Sequence, residues 1–549
     1  MSKPKKYFLW GAGTSPYQVE GGINNNDWDY FTRSKAIVNR ISHLTKPNIL
    51  YNGTLQQDLE PAGDGVKTWE PSYYCKDFEL AAKFGFNTFR IGIEWARVEP
   101  ERGNWNQEAI DHYKDMIKTM REKGLTPVIT LNHLTLPSWV LTPPSTFRKY
   151  PGQNLLPNPF RDIPLREPSK NDPFWKSLGG WENSRTVEEF VKYVERVVIE
   201  LKSLVDYWIT ICEPVASIIG LGYLAALWPP GFLLDGNRAR LVLHNLIEAH
   251  VKAYDKISYH DDVDADMDGI PKKVGFTHAM VAVSPARPKK ILGIKINDNL
   301  KAASNFSYFI NDYFINAVVL GIEDVNYLNT QQRWNENSVD MVRHQDWKDK
   351  IDFVGVDYYR RVHIEYNQII SGSSAKFLGG ALADNLELHE NRMQPNGMLS
   401  DLGWEIYPRG LYELTTKIKR KWKVPIFITE NGVADNLDRL RAPFIVAHLE
   451  QIRRAIENGV NIIGYLHWSF MDNYEWLSAY NDKSRFGLFR IMRSDDKFSR
   501  QLTEGAMAFK TIIQDSSLDD NNIVTKQAIE NAKQRFGTLD EGWQLFSIF

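Results

Sequence analysis

A chain of 549 residues with 43% hydrophobic and 24% charged residues, and 66 Lys and Arg against 68 Asp and Glu, has the balance of an ordinary globular protein with a formal charge of -2. That composition excludes a basic surface built to neutralise nucleic acid, and no run of like charge marks a disordered interaction tail. Two cysteines, Cys75 and Cys212, are too few to staple a secreted scaffold, and the apolar run at 7–10 is too short for a signal-peptide core, so a cytoplasmic protein is expected.

In chain order, the first apolar run lies at 8–13, followed after a long interval at 21–71 by an amphipathic helix at 73–84 that Gly85 stops. A second run at 88–93 precedes a helix at 107–123, ended by Gly124. The third, 126–131, leads past the interval 134–185 to a helix at 187–204. There Val187, Phe190, Val191, Val194, Val197 and Leu201 share one face, and Thr186 with Glu189 predicts a capping box. The run at 207–212 enters the uncharged stretch 214–234 and then a helix at 238–259. Runs at 273–277 and 351–356 precede helices at 302–320 and 408–422, the latter after the interval 360–404. Runs at 425–429 and 461–466 flank a helix at 443–458.

Short β-branched runs, apolar on both faces and separated by helices, predict a parallel sheet covered by helices, and eight such units close a single (β/α)8 TIM barrel. One domain is therefore expected over 1–515, with the excess beyond about 250 residues in long βα loops. A short C-terminal extension, 516–549, carries a helix at 522–536 that aligns Ile529, Ala532 and Phe536, and then the apolar WQLFSIF. It is expected to dock on its own barrel or on a neighbouring subunit, which leaves a homo-oligomer open.

The stretch 214–234 is long enough to span a membrane, but three glycines and Pro229-Pro230 interrupt it, so a loop and helix packed on the core is expected. DADMDG at 264–269 begins like a calcium loop, yet its twelfth position is Gly275 instead of a bidentate Glu, and a solvated acidic turn is the expectation. With no HExxH, CxxC, P-loop or dinucleotide fingerprint, neither a metal nor a cofactor is expected.

Barrel enzymes keep their chemistry at the C-terminal ends of the strands. Those ends carry Arg90, Asn132-His133, Glu213, Asp357-Tyr358-Tyr359, Glu430-Asn431 and His467-Trp468. Taken singly, a strand-end Glu is more often a cap or the partner of a buried Arg, and His133, Tyr359 and Trp468 are more often packing. Two carboxylates at one rim, with an Arg, a His and a Tyr between them, instead form the constellation that glycoside hydrolysis needs.

The motifs TICEP at 210–214 and ITENG at 428–432 resemble the catalytic signatures of the retaining β-glycosidases of glycoside hydrolase family 1. So do SPYQVEG at 15–21, FRIGIEWARVEP at 89–100, LNHLTLPSW at 131–139, VGVDYY at 354–359, DLGWEIYPRGL at 401–411, and LHWSFMDNYEW followed by RFGLF. The resemblance extends over 8–510, and LGYLAALWPPGFLL with AHVKAYD is most similar to the archaeal branch. It implies hydrolysis of small β-linked glycosides (β-glucosidase/β-galactosidase-like) by double displacement through a covalent glycosyl-enzyme. Glu213 would be the general acid/base and Glu430 the nucleophile, with carboxyl groups about 5 to 5.5 Å apart. Arg90 and Tyr359 would hold the Glu430 anion. Gln18, His133, Glu475 and Trp476 match positions that hold sugar hydroxyls, Trp468 the platform under the ring, and Trp404 the aglycone wall.

Three positions depart from the family pattern. Cys212 replaces the Asn that contacts the sugar 2-OH, Leu134 replaces a Trp after His133, and Asp357 replaces the Asn before the paired tyrosines. A thiol is a weak donor, and beside a carboxylate its pKa is expected to rise, which makes it unreactive. An atypical glycone, differing or bulkier at C2 or C3, is one expectation, and an ordinary β-glucosidase with compensating contacts is another. The alternative is a non-catalytic or weakly catalytic carbohydrate-binding protein on the same barrel, against which the retained carboxylates argue.

Overall fold

The computed structural model describes residues 8–34, 59–141, 177–232, 235–285, 290–291, 294–295, 298–325, 327, 341–364, 398–493, 497–516 and 523–539. Each of the eight expected runs forms a strand: β1 (Leu9–Ala12), β2 (Thr88–Gly92), β3 (Thr126–Asn132), β4 (Tyr207–Cys212), β5 (Lys273–Pro285), β6 (Phe353–Ile364), β7 (Ile426–Asn431) and β8 (Ile462–His467). Every strand pairs parallel with its sequence neighbours, and β8 pairs with β1. The cylinder closes where Gly13 bridges Arg90 and the Thr14 N–H donates to the Arg90 carbonyl at 3.0 Å.

Around it run α1 (Pro71–Phe84), α2 (Gln107–Glu122), α3 (Ser184–Leu201), α4 (Gly236–His260), α5 (Asp298–Ser307), α6 (Tyr313–Leu320), α7 (Pro408–Lys421), α8 (Arg441–Glu457) and α9 (Glu504–Ser516). Inside, Leu9, Val128, Ile209, Phe353, Phe427 and Leu466 belong to an apolar cluster separate from the one under the helices. This cluster is the barrel floor. Alternation along parallel strands sends every second side chain into the interior, so Thr130 and Thr429, two positions beyond Val128 and Phe427, stand above an apolar base.

Several expectations are corrected. β5 and β6 run beyond 277 and 356, pairing as far as Pro285 with Ile364 after a register shift between Tyr358 and Arg361. Past Thr277 the burial of β5 alternates, as in a ribbon with one face toward solvent, so the continuous apolar run ends before the strand does. α3 begins earlier than expected because Asn183 caps it through Arg185 N. Thr186 Oγ1 instead donates to Gly180 O at 2.6 Å, and Glu189 pairs with Arg102 and Lys192. The expected helix at 302–320 is divided into α5 and α6 by a π turn, Tyr308–Asp312. The stretch after Glu213 forms a wide helical segment, Pro214–Leu224. Among the described residues, no helix is long and apolar enough to cross a membrane. In the acidic turn, Lys273 Nζ pairs with Asp266 and Asp268 at 3.3 and 3.0 Å.

A last helix, α10 (Lys526–Phe536), buries Ala528, Ile529 and Ala532 against α8 and α9 of its own barrel. WQLFSIF lies outside the described residues.

Candidate active site

Strict alternation would turn both key strands the wrong way at their ends. On β7, Phe427 and Thr429 point inward, so Glu430 should point out. An extra residue relative to β6, between the pairs Val356–Ile428 and Asp357–Glu430, reverses this and swings Glu430 into the cavity. β4 repeats the device. Its register against β5 slips by one residue between Ile209 and Cys212, which turns Cys212 inward. Glu213 follows in the left-handed region at φ 47°, a conformation uncommon outside glycine that marks a constrained strand end.

Glu430 is the centre of the site. Its Oε1 accepts from Arg90 Nη1 at 2.5 Å and its Oε2 from the Tyr359 hydroxyl at 2.6 Å. Burial alone pushes the Glu430 carboxyl up, while Arg90 and Tyr359 pull it back toward the anion. Burial likewise opposes the Arg90 cation, yet the negative charge of Glu430 beside it raises its pKa, so the pair is held as an ion pair. Arg90 is fully buried and is steered by Nε donating to Thr130 Oγ1 at 2.9 Å. Its Nη2 lies 3.4 Å from His133 Nδ1 and 3.5 Å from Cys212 Sγ. Burial and Arg90 together push His133 well below its usual pKa, so the ring is neutral. Because Arg90 only donates, Nδ1 is the acceptor and the proton sits on Nε2, which faces Cys212 Sγ at 3.7 Å.

Carboxylate oxygens of Glu213, Asp357 and Glu430 lie within 4.8 Å of one another. Glu213 accepts from Ser217 Oγ, one helical turn further on. Burial, followed by the charge of Glu430, raises its pKa to about 8. Asp357 Oδ1 accepts from Thr429 Oγ1 at 2.6 Å. Burial and the same negative charge push Asp357 well above the usual carboxylate range. Gly355, two residues earlier on the same face, has no room for a side chain, since a Cβ would come within 2.9 Å of Thr429 Oγ1 and Thr277 Cγ2.

The remaining expected residues surround this cluster. The Trp468 ring lies 5.8 Å from that of His133, and Trp476 lies 6.4 Å from His133 on the other side. Trp404, from the segment between β6 and α7, meets Tyr359 edge-on at 5.7 Å. Glu475 is pushed up to about 8 by burial and by the charge of Glu430. Gln18 is fully buried and donates to Tyr474 O at 2.5 Å and Asn473 Oδ1 at 3.3 Å, beside Glu475. Cys212 accepts from Thr277 Oγ1 at 3.2 Å, and burial raises its thiol pKa well above normal. Ser217 and Thr429, which donate to carboxyls, and Thr277, which donates to Cys212, were not among the expected residues. Ser217 was detectable as the i+4 neighbour of Glu213, whereas the two threonines depend on register.

A closed barrel with paired carboxylates at its mouth, one of them ion-paired to a buried arginine, is an arrangement suited to a hydrolase of the glycosidase class. The model for glycosyl hydrolase family 1 matches residues 2–143 and 174–518, so the chain belongs to that family and is a glycoside hydrolase. A β-galactosidase from Pyrococcus woesei is 29% identical, with 96% of this chain and 99% of the relative covered. A β-glucosidase A from Thermotoga maritima is 28% identical, with coverage of 93% and 98%. The solved β-glycosidase from Pyrococcus horikoshii matches with a TM-score of 0.68 at 26% identity, covering 98% of this chain and 99% of that one.

Proposed function

We propose that the protein hydrolyses β-linked glycosides with retention of configuration, Glu430 acting as nucleophile and Glu213 as acid/base. The observation that carries this reading is the approach of the Glu213 and Glu430 carboxylate oxygens within 4.8 Å. Retaining sites hold their carboxyls about 5 to 5.5 Å apart, while inverting ones leave about 6.5 to 9.5 Å for a water. Glu430, ionised between Arg90 and Tyr359, attacks the anomeric carbon while Glu213 gives its proton to the glycosidic oxygen. Formation of the glycosyl ester removes the negative charge of Glu430, which lowers the Glu213 pKa and fits it to take a proton from the incoming water. The family names of the relatives, β-galactosidase and β-glucosidase, support small β-glycosides as substrates.

Cys212, Leu134 and Asp357 support an atypical glycone. Leu134 borders a hollow shared with Asp27, Trp28, Trp181 and Trp228. The Trp181 and Trp228 indole N–H groups are buried with no partner among the described residues, which supports a hollow with two donors for a substituent on the sugar. The proposed setting is the cytoplasm, which the free thiols Cys75 and Cys212 support.

The test is Glu430→Gly assayed on aryl β-glycosides. Hydrolysis is expected to vanish, and azide should restore turnover to give the inverted glycosyl azide. Wild-type-like turnover in the variant would refute the assignment.

A further inference from the structure

Three carboxyls and one guanidinium share the cavity, although the proposed chemistry uses only two of the acids. Asp357 is the third. It is fully buried, points inward from β6, and has an oxygen within 4.8 Å of both Glu213 and Glu430. One of its oxygens, Oδ1, accepts the Thr429 hydroxyl proton, while Oδ2 is buried with no hydrogen-bond partner among the described residues.

The groups facing it fix its charge. β2 contributes the Arg90 cation, β4 the Cys212 thiol and Glu213, and β7 Glu430. From its own strand comes the Tyr359 hydroxyl. Next to these, neutral His133 lies against Arg90, and Glu475 feels the charge of Glu430. A single guanidinium balances one anion, and its short hydrogen bond goes to Glu430. Two further anions within 4.8 Å would repel that one and each other in a buried site. Because Thr429 makes Oδ1 the acceptor, any proton on Asp357 sits on Oδ2. The acid then presents one acceptor and one donor, the same complement as an asparagine amide at that position.

We propose, on the basis of the function inferred above, that Asp357 is a positioning residue that works as a neutral acid, and that activity ends at alkaline pH when either Asp357 or Glu213 loses its proton. The proton leaves Oδ2 for solvent hydroxide and yields water. The new carboxylate then faces Glu430 and Glu213 as a second anion, and a donor becomes an acceptor.

The experiment compares the full-length wild type with Asp357→Asn, measuring kcat/KM for an aryl β-glycoside across the alkaline range. Two acids that repel each other's anions lose their protons in two separated steps, so the first loss, from either one, gives the wild type a one-proton alkaline limb whose midpoint the second acid lowers. Asp357→Asn leaves Glu213 as the only acid, so its limb should keep a one-proton slope with its midpoint higher by about 0.3 pH units or more, the statistical value for two equal acids. A midpoint shifted to lower pH would mean that Asp357 is an anion that had been keeping the proton on Glu213, and overturns the proposal. An unchanged limb also overturns it. If the variant fails to fold, Thr429→Val takes its place: it removes the donor that favours the Asp357 anion, so the midpoint should rise, and an unmoved limb overturns the proposal. If the wild type hydrolyses no glycoside, the proposed function fails by itself. The infrared carbonyl band of a protonated carboxyl, present in wild type and missing from folded Asp357→Asn, then decides the charge of Asp357.

Discussion

Replacing Tyr359 by Phe removes a single hydroxyl from Glu430, the proposed nucleophile, and leaves the ring at 359 packed against Trp404 at 5.7 Å and Phe486 at 6.0 Å. The lost contact is a buried O–H donor at 2.6 Å from Glu430 Oε2. Hydrogen bonds to charged groups contribute about 1.5–3 kcal/mol, and about 1.4 kcal/mol corresponds to one pKa unit, so the Glu430 pKa should rise by about 1 to 2 units. The sign follows from the chemistry: the donor favours the anion, its removal favours the protonated form, and the nucleophile is then lost at a higher pH. The acid limb of kcat/KM, which reports free-enzyme ionisations, should therefore move up by that amount. Because Arg90 remains at 2.5 Å, the variant should still be active on the plateau. An acid limb that stays in place, or moves down, would refute the claim that Tyr359 holds the anion.

Glu213→Ala should slow glycosides with poor leaving groups by about 10²–10⁴-fold and affect those with acidic phenol leaving groups far less, because only the former need a proton donor. In the wild type, activity should decline as pH rises through about 8, where Glu213 loses its proton; a decline centred near 5 would exclude Glu213 as the acid. Cys212→Asn places an amide donor where the thiol accepts from Thr277 and Arg90. It should raise kcat/KM on glucosides by about tenfold, the effect of one hydrogen bond, and an unchanged or lower value would indicate a pocket adapted to another glycone. Ile529 on α10 is fully buried against the barrel. Ile529→Ala should destabilise by about 2–5 kcal/mol and lower Tm, and an unchanged Tm would mean that α10 does not contribute to the stability of the barrel.

The barrel was legible in the sequence because its strands are buried on both faces. YWITIC of β4 and IFITEN of β7 are buried at every position, and such runs separated by amphipathic helices admit few other folds. The residues at the strand ends were legible for the same reason, since the topology fixes which end carries chemistry. Extension beyond the apolar run, as in β5 and β6, was not legible, because a ribbon with one solvent face lacks that pattern. Nor was the start of α3, where Asn183 displaced Thr186 as the cap.

Sequence alone determined that Arg90, Glu213, Tyr359 and Glu430 occur at the ends of barrel strands, and that Cys212, Leu134 and Asp357 stand among them. Their orientation was decided only in three dimensions. A two-residue alternation, applied strictly, sends Glu430 out of the barrel, and the extra residue on β7 brings it in. The same register shift sets Thr429 against Asp357, which turns a substitution visible in the sequence into a third acid beside Glu213 and Glu430. Register depends on how neighbouring strands pair across the whole cylinder, and no local stretch of chain encodes that pairing.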